Sequence, residues 1–334
     1  MSTLIVGGGS VGKRHLRNLI TLGETGFGVV DTRADRRDEL AREPGVDRVY
    51  ADLPTALRDG YEVVVVGAPT AFHIDIGRRA IAAGAHVLME KPLSHTMDGV
   101  AELIAEADRA ARRLMVGYTY RFWPPLQRVK ERLDAGDIGQ VYFANVVFSQ
   151  YLPDWHPWED YRTWFMSSGA EGGGALLDES HTIDMVRWFL GEVDSVVCEV
   201  GNVSTLEMTA DDFARLFLTF ESGARATLHM DVFGRCPQRW LEFLGAHGNL
   251  RCDINRNEIT VFDARTGETA TERFTCERNE MFVEEVRHFL AVLRGAVPPI
   301  VSAADAAQTL AVALAGAQSS EQGARVTVTR IGRS

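Results

Sequence analysis

Cysteine is scarce in this 334-residue chain, with single residues at Cys198, Cys236, Cys252 and Cys276. No two are spaced as CxxC, and none is grouped with histidines at ligand spacing. A zinc centre and a dithiol redox motif are therefore excluded, and no metal is expected. Reduced, unlinked thiols fit a cytoplasmic protein. Long hydrophobic runs are also missing. The first apolar stretch, Leu4-Ile5-Val6, stops at Gly7, too soon for a leader peptide. No stretch approaches the roughly 20 residues of a membrane span. Positive charge is short: 35 Lys and Arg face 46 Asp and Glu, a net −11. A surface of that sign repels phosphate backbones, which excludes nucleic acid as an expected partner. No internal repeat or low-complexity tract is present. What remains is a globular composition, 46% hydrophobic and 24% charged, in a chain long enough for two domains.

The first third alternates between strand and helix patterns. Strands are expected at 3–6, 27–30, 63–66, 86–89 and 114–116, and helices at 13–22, 72–83 and 98–112. Val63-Val64-Val65-Val66 is a continuous β-branched run, as suits a parallel strand buried on both faces. The rhythm predicts an α/β domain with a doubly wound parallel sheet over residues 1–120, a Rossmann dinucleotide-binding domain.

Gly7-Gly8-Gly9-Ser10-Val11-Gly12 lies between the first strand and the first helix. In that setting Gly7 permits the turn, Gly9 lets backbone approach a pyrophosphate, and Gly12 lets helix and sheet pack closely. Ser10 and Val11 open the helix, whose amino end favours an anion. Asp31 closes the second strand roughly 20 residues later, placed to accept from an adenosine ribose, and its charge repels a 2′-phosphate. NAD is the expected cofactor. NADP is the second choice, because Arg33, Arg36 and Arg37 follow: they hold that phosphate or form a solvated helix face.

Lys91 ends a parallel strand at the sheet edge where open α/β folds bind ligands. On its own it reads as a surface lysine before a proline. The ordered set of motifs changes that reading. The glycine loop, Pro69-Thr70-Ala71-Phe72-His73, Ala83-Gly84-Ala85-His86-Val87-Leu88-Met89-Glu90-Lys91-Pro92, and Gly172-Gly173-Gly174-Ala175-Leu176-Leu177-Asp178 running into His181 and Asp184 together resemble the Gfo/Idh/MocA oxidoreductase family over nearly the whole chain. The spacing Asp178-Glu179-Ser180-His181 is that of an Asp-x-x-His branch, and Thr119 stands where an asparagine is common before the pair matching Arg121-Phe122. The resemblance implies that Lys91, Asp178 and His181 line a catalytic cleft, with either Lys91 or His181 handling the proton. It also implies a cofactor set of Gly7, Gly9, Ser10, Val11, Gly12, Asp31, Thr32, Arg33, Ala68, Pro69, Thr70, His73, Glu90, Lys91 and Arg121.

Residues 121–334 read as an α+β domain for substrate and oligomerisation, with a large, mostly antiparallel sheet. Strands are expected at 140–150, 195–203, 213–220, 224–232, 240–244, 250–254 and 259–262, and Glu221-Ser222-Gly223 is a hairpin turn. In 224–232 the residues alternate between an apolar face and a semi-polar one. A single helix is expected at 174–190, which would set Asp178 and His181 on one face. Helices at 281–293 and 303–316 read as packing, and the last is expected to pack back on the first domain. Trp155, His156, Trp158, Tyr161 and Trp164 crowd together: they offer flat faces to a sugar or pin a loop to the core. With Lys91, Tyr118, Arg121, Asp178 and His181 they form the expected substrate set.

The expected activity is hydride transfer between nicotinamide and a carbinol or ketone carbon of a sugar, amino sugar, nucleotide sugar or cyclitol. The alternatives are an NAD-dependent glycoside hydrolase of the same fold and a non-catalytic ligand sensor. The resemblance implies a homodimer or homotetramer built through the large sheet.

Overall fold

The computed structural model describes residues 1–331. The chain forms two compact units: Met1–Thr119 with Asn279–Ala307, and Tyr120–Arg278 with the chain from Gln308 onward. A cut at residue 120 alone therefore omits a returning segment. That segment is tied to the first unit by Val116 N–H donating to Val301 O, by the Asn279–Asn18 side-chain bond and by Arg14 stacked over Phe282. No described helix is long and apolar enough to cross a membrane.

The first unit holds strands β1 (Thr3–Val6), β2 (Phe27–Val30), β3 (Val46–Tyr50), β4 (Val63–Val66), β5 (His86–Glu90) and β6 (Leu114–Gly117) in the order β3-β2-β1-β4-β5-β6. Every pairing is parallel. Helices α1 (Ser10–Thr21), α2 (Ala34–Leu40), α3 (Leu53–Leu57), α4 (His73–Ala82) and α5 (Val100–Arg109) connect the strands. The four valines of β4 are at most 1% exposed, and each such burial is worth roughly 1.5–3 kcal/mol. β3 has no counterpart among the expected strands. Its residues are all partly or fully exposed, so the edge strand carries no apolar pattern to read.

The second unit contains α6 (Pro124–Asp134), β7 (Val141–Tyr151), α7 (Ala175–Asp178), α8 (His181–Leu190), β8 (Val193–Gly201), β9 (Phe213–Phe220), β10 (Arg225–Asp231), β11 (Phe233–Gly245), β12 (Gly248–Asp253), β13 (Glu258–Asp263) and β14 (Glu268–Arg273). Helix α9 (Arg278–Leu293) leads back to the first unit. Helix α10 (Ala303–Gln322) and the short β15 (Val326–Thr327) end the described chain. The sheet runs β14-β13-β12-β11-β7-β10-β9-β8-β15 and is antiparallel except where β7 and β10 pair in parallel. Its inner face is dry: Ala144, Val146, Phe148, Leu216, Leu218, Ala226, Leu228, Met230, Leu241 and Phe243 are at most 1% exposed.

The single helix expected at 174–190 is two. The first ends at Asp178, and His181 opens the second, with Glu179 and Ser180 between them. Asp178 and His181 therefore do not share one helix face. Both connecting residues are buried, and Glu179 accepts from the Gln150 side chain at 2.8 Å. The chain bends to bring that carboxylate inward. Asp231 falls on the semi-polar face of 224–232 and is 2% exposed: its carboxylate accepts from Phe233 N–H and Gly234 N–H and meets His229 Nε2 at the turn into β11.

Candidate active site

In the first unit the glycine loop leaves β1 at the point where strand order reverses between β1 and β4. Gly7 has φ +95°, and a β-carbon there would fall 2.6 Å from Gly67 O. One on Gly12 would fall 1.9 Å from Gly7 O. Neither position can carry a side chain. Gly9 differs, since its β-carbon would meet only Arg36 Nη1 at 3.7 Å, so this part of the loop faces open space. Helix α1 has no side-chain cap at its amino end, and the N–H groups of Ser10, Val11 and Gly12 are left to an anion. A pyrophosphate fits that cradle.

Asp31 is 6% exposed. Its Oδ2 accepts from Gly8 N–H and its Oδ1 from Arg33 N–H, both at 2.8 Å. Each oxygen retains a second lone pair for a ribose hydroxyl. The three neighbouring arginines divide their roles. Arg33 pairs with Asp35, Arg37 donates to the carbonyls of Asp31 and Thr32, and Arg36 Nη1 stands 3.7 Å from Asp31 Oδ2. Thr32 is exposed at the same rim.

Ala68, Pro69 and Thr70 follow β4. His73, in the expected cofactor set, bridges two loops. It is 1% exposed, with Nε2 2.9 Å from Ala68 O and Nδ1 2.9 Å from Pro92 O. The imidazole clamps together the loops after β4 and β5. Burial pushes its pKa below the usual histidine value, against the opposing pull of the two carbonyls.

Lys91 follows β5, and the Lys91–Pro92 peptide is cis. Glu90, in the expected cofactor set, has two partners within the protein. Its Oε1 lies 2.6 Å from His15 Nε2 on α1, and its Oε2 accepts from Lys91 N–H at 3.3 Å. Burial disfavours its ionisation, but the His15 bond and the charges of His15 and Lys91 outweigh that and hold it below the usual carboxylate range. Tyr118, just past β6, is fully buried.

In the second unit Asp178 closes α7, its N–H donating to Gly174 O at 2.9 Å. His181 packs edge-on against Tyr120, ring centroids 4.9 Å apart. Arg121, expected to touch cofactor and substrate, makes a two-pronged ion pair with Asp184 (2.9 and 2.7 Å) and is 6% exposed. Removing one partner would strand a buried charge at a cost of about 3–5 kcal/mol. The amino end of α7 is held by Asp211, whose Oδ2 accepts from Leu176 N–H at 2.8 Å. Gly174, at φ +106°, leaves the space that carboxylate needs.

The aromatic cluster gathers as a surface stack. His156 lies parallel to Trp158 at 5.2 Å and tilted against Trp164 at 4.3 Å, while Trp158 is 74% exposed. The indole nitrogens of Trp155 and Trp164 are buried and meet no acceptor among the described residues. Tyr161 is used structurally, its hydroxyl accepting from Glu207 N–H at 3.0 Å.

Sequence reasoning passed over His15 and Glu285. The signal was present: each is a polar residue at a core-facing position of an apolar helix stripe, His15 beside Leu16 and Leu19, Glu285 between Met281 and Phe289.

Residues 1–118 match the oxidoreductase family with an NAD-binding Rossmann fold, and residues 126–251 match the GFO/IDH/MocA C-terminal domain. The chain is 28% identical to myo-inositol 2-dehydrogenase of Thermotoga maritima over 95% of this chain and 96% of the relative. It is 27% identical to scyllo-inositol 2-dehydrogenase (NAD(+)) of Bacillus subtilis over 96% and 94%. The fold is that of levoglucosan dehydrogenase solved with NADH, with a TM-score of 0.88 and 22% identity over 99% of this chain and all of the other. An uncapped helix end behind a side-chain-free loop, an aspartate at the end of β2 bonded to that loop and these matches along both units place the chain in the Gfo/Idh/MocA family of NAD(P)-dependent oxidoreductases.

Proposed function

We propose that this protein is an NAD-dependent dehydrogenase that oxidises a secondary hydroxyl of a cyclitol or sugar ring. The observation that carries the reading is Lys91 at the carboxyl end of β5, beside a dinucleotide cradle and anchored through Glu90 to α1. Relatives that align along nearly their whole length are inositol dehydrogenases, which supports a polyol ring as substrate. The bound nicotinamide supplies the hydride acceptor. Gly7, Gly9, Gly12 and the first N–H groups of α1 bind its pyrophosphate, and Asp31 orients the ribose.

Lys91 or His181 accepts the hydroxyl proton, and Asp178 orients the hydroxyl. Trp158 and His156 offer flat faces to the C–H side of the ring. The working form is a homo-oligomer.

Inositols, pyranoses and nucleotide sugars, each assayed with NAD and with NADP for NADH or NADPH formation, test the reading. Lys91→Ala and His181→Ala are each expected to lower kcat by about 10²–10⁴ on the true substrate, the usual share of a positioned acid or base. Near-normal kcat in both would remove the assignment. Glycoside cleavage without net NADH would identify a hydrolase, and ligand binding without turnover a sensor.

A further inference from the structure

Glu285 is fully buried on α9, and neither carboxylate oxygen has a hydrogen-bond partner in the described structure. One ligand-type atom from each of Glu285, Glu90 and His15 lies within 4.8 Å of the other two. Gly117 on β6 faces both carboxyl groups: a methyl group on it would lie in van der Waals contact with them, 3.4 Å from Glu285 Oε1 and 3.6 Å from the Glu90 carboxyl carbon.

Two carboxyl groups this close in a dry interior do not both ionise. The partners decide which one does. Glu90 has His15 Nε2 at 2.6 Å and the Lys91 N–H, whereas Glu285 has neither. The groups around the pair are His15 from α1, Glu90 and then Lys91 from β5, no side chain from Gly117, and His73 from α4 acting on Glu90. Burial, and then the charge of Glu90, push Glu285 well above the carboxylate range.

We propose that Glu285 is a positioning residue for Lys91: as a neutral acid it completes a His15–Glu90–Glu285 centre in which Glu90 alone carries negative charge, and that charge, one residue away, sets the pH at which Lys91 gives up its proton. Ionisation of Glu285 would add a second negative charge and keep Lys91 an ammonium. Protonated, it leaves Glu90 fixed between α1, which carries the cofactor loop, and the lysine backbone. The effect on Lys91 rests on its proposed role as the proton acceptor, while the protonation of Glu285 does not.

The first test needs no substrate. Infrared spectra of the full-length protein at neutral pH should show a protonated-carboxyl C=O band that Glu285→Gln lacks. A folded-state pKa above the unfolded one means that wild type loses stability as pH rises from the unfolded value upward. The Tm advantage of Glu285→Gln should therefore grow between about pH 5 and 8. An absent band or a flat Tm difference overturns the proposal. So does a Tm of wild type, but not of Glu285→Gln, that responds to Mg²⁺, Zn²⁺ or a chelator. If Glu285→Gln does not fold, Glu90→Gln carries the test, since loss of the neighbouring charge should shrink the wild-type pH slope.

The second test reads Lys91. Glu90→Gln keeps an acceptor for the Lys91 N–H but removes the charge. The acid limb of kcat/KM for alcohol oxidation should move to lower pH by about one unit. An unmoved limb, with Lys91→Ala inactive, overturns the positioning role and leaves Lys91 assigned. A fully active Lys91→Ala removes the catalytic reading while the infrared result still decides the state of Glu285.

Discussion

Asp31 faces the choice between two cofactors that differ by one phosphate. Its carboxylate is fixed by two backbone N–H groups, so it cannot swing away from a 2′-phosphate. Arg36 directs its charge at the Asp31 carboxylate, with Nη1 3.7 Å from Oδ2. NADH should bind more tightly than NADPH in a fluorescence titration. Asp31→Ala removes the repulsion and releases Arg36 toward the phosphate. A charge contact near 4 Å at a protein surface is worth up to about 4 kcal/mol before solvent screening. The ratio of the two affinities should accordingly move toward NADPH by on the order of tenfold or more. A ratio unchanged in Asp31→Ala would mean that the ribose pocket is shaped elsewhere. The same residue shows what a sequence can disclose. An acid ending a strand some twenty residues after a glycine loop is a local pattern, and patterns of that kind are legible. The partners that His73, Glu90 and Arg121 take within the protein, namely Ala68 O, Pro92 O, His15 and Asp184, were not legible, because no spacing encodes such tertiary pairings.

At the scale of elements, the alternation of the first unit was readable because parallel strands buried on both faces leave unbroken apolar runs. The exposed β3 left no such run, and neither did β14, where five of six residues are exposed. The break between α7 and α8 was hidden for another reason. Residues 174–190 keep a helical apolar pattern, but at the break Glu179 is buried and accepts from the Gln150 side chain, while Asp211 holds the amino end of α7. Asp211 gives this junction a pH signature. Burial raises its pKa to about 6, against the bonds from Leu176 and Ala175 N–H that pull it down. The folded value lies above the unfolded one, so the contribution is complete at low pH and is lost as pH rises from about 4 to about 6, amounting to roughly 3 kcal/mol at most. Urea unfolding across that window should show this loss, and Asp211→Asn should reduce it, leaving the share that Glu285 contributes. A variant with the wild-type slope would place the titration on another group.

At the scale of the whole molecule, the large sheet raises the question of its second face. Helix α6 lies against β12 and β13, and α8 against β7 and β10. The opposite face keeps Phe143, Val147, Phe217 and Trp240 only partly covered. Phe143 and Phe217 contact each other with centroids 6.2 Å apart, and Arg251 stacks over Trp240 at 4.1 Å. Polar pairs sit among them, such as Thr227 Oγ1 donating to Asn145 Oδ1 at 2.7 Å. Apolar side chains ringed by satisfied polar ones are the composition of a protein interface rather than of a solvated sheet. A flat face of several strands can also supply the roughly 1,000 Å² or more that a specific association requires. The expected result is a dimer or tetramer in light scattering at about micromolar concentration, at the level of affinity such interfaces reach. Val147→Arg with Phe217→Asp, both on that face, should yield a folded monomer, because each places an unpaired charge in a surface that must desolvate. A wild-type protein that stays monomeric at that concentration would show the face to be solvated. An oligomer indifferent to the double substitution would move the interface to another surface.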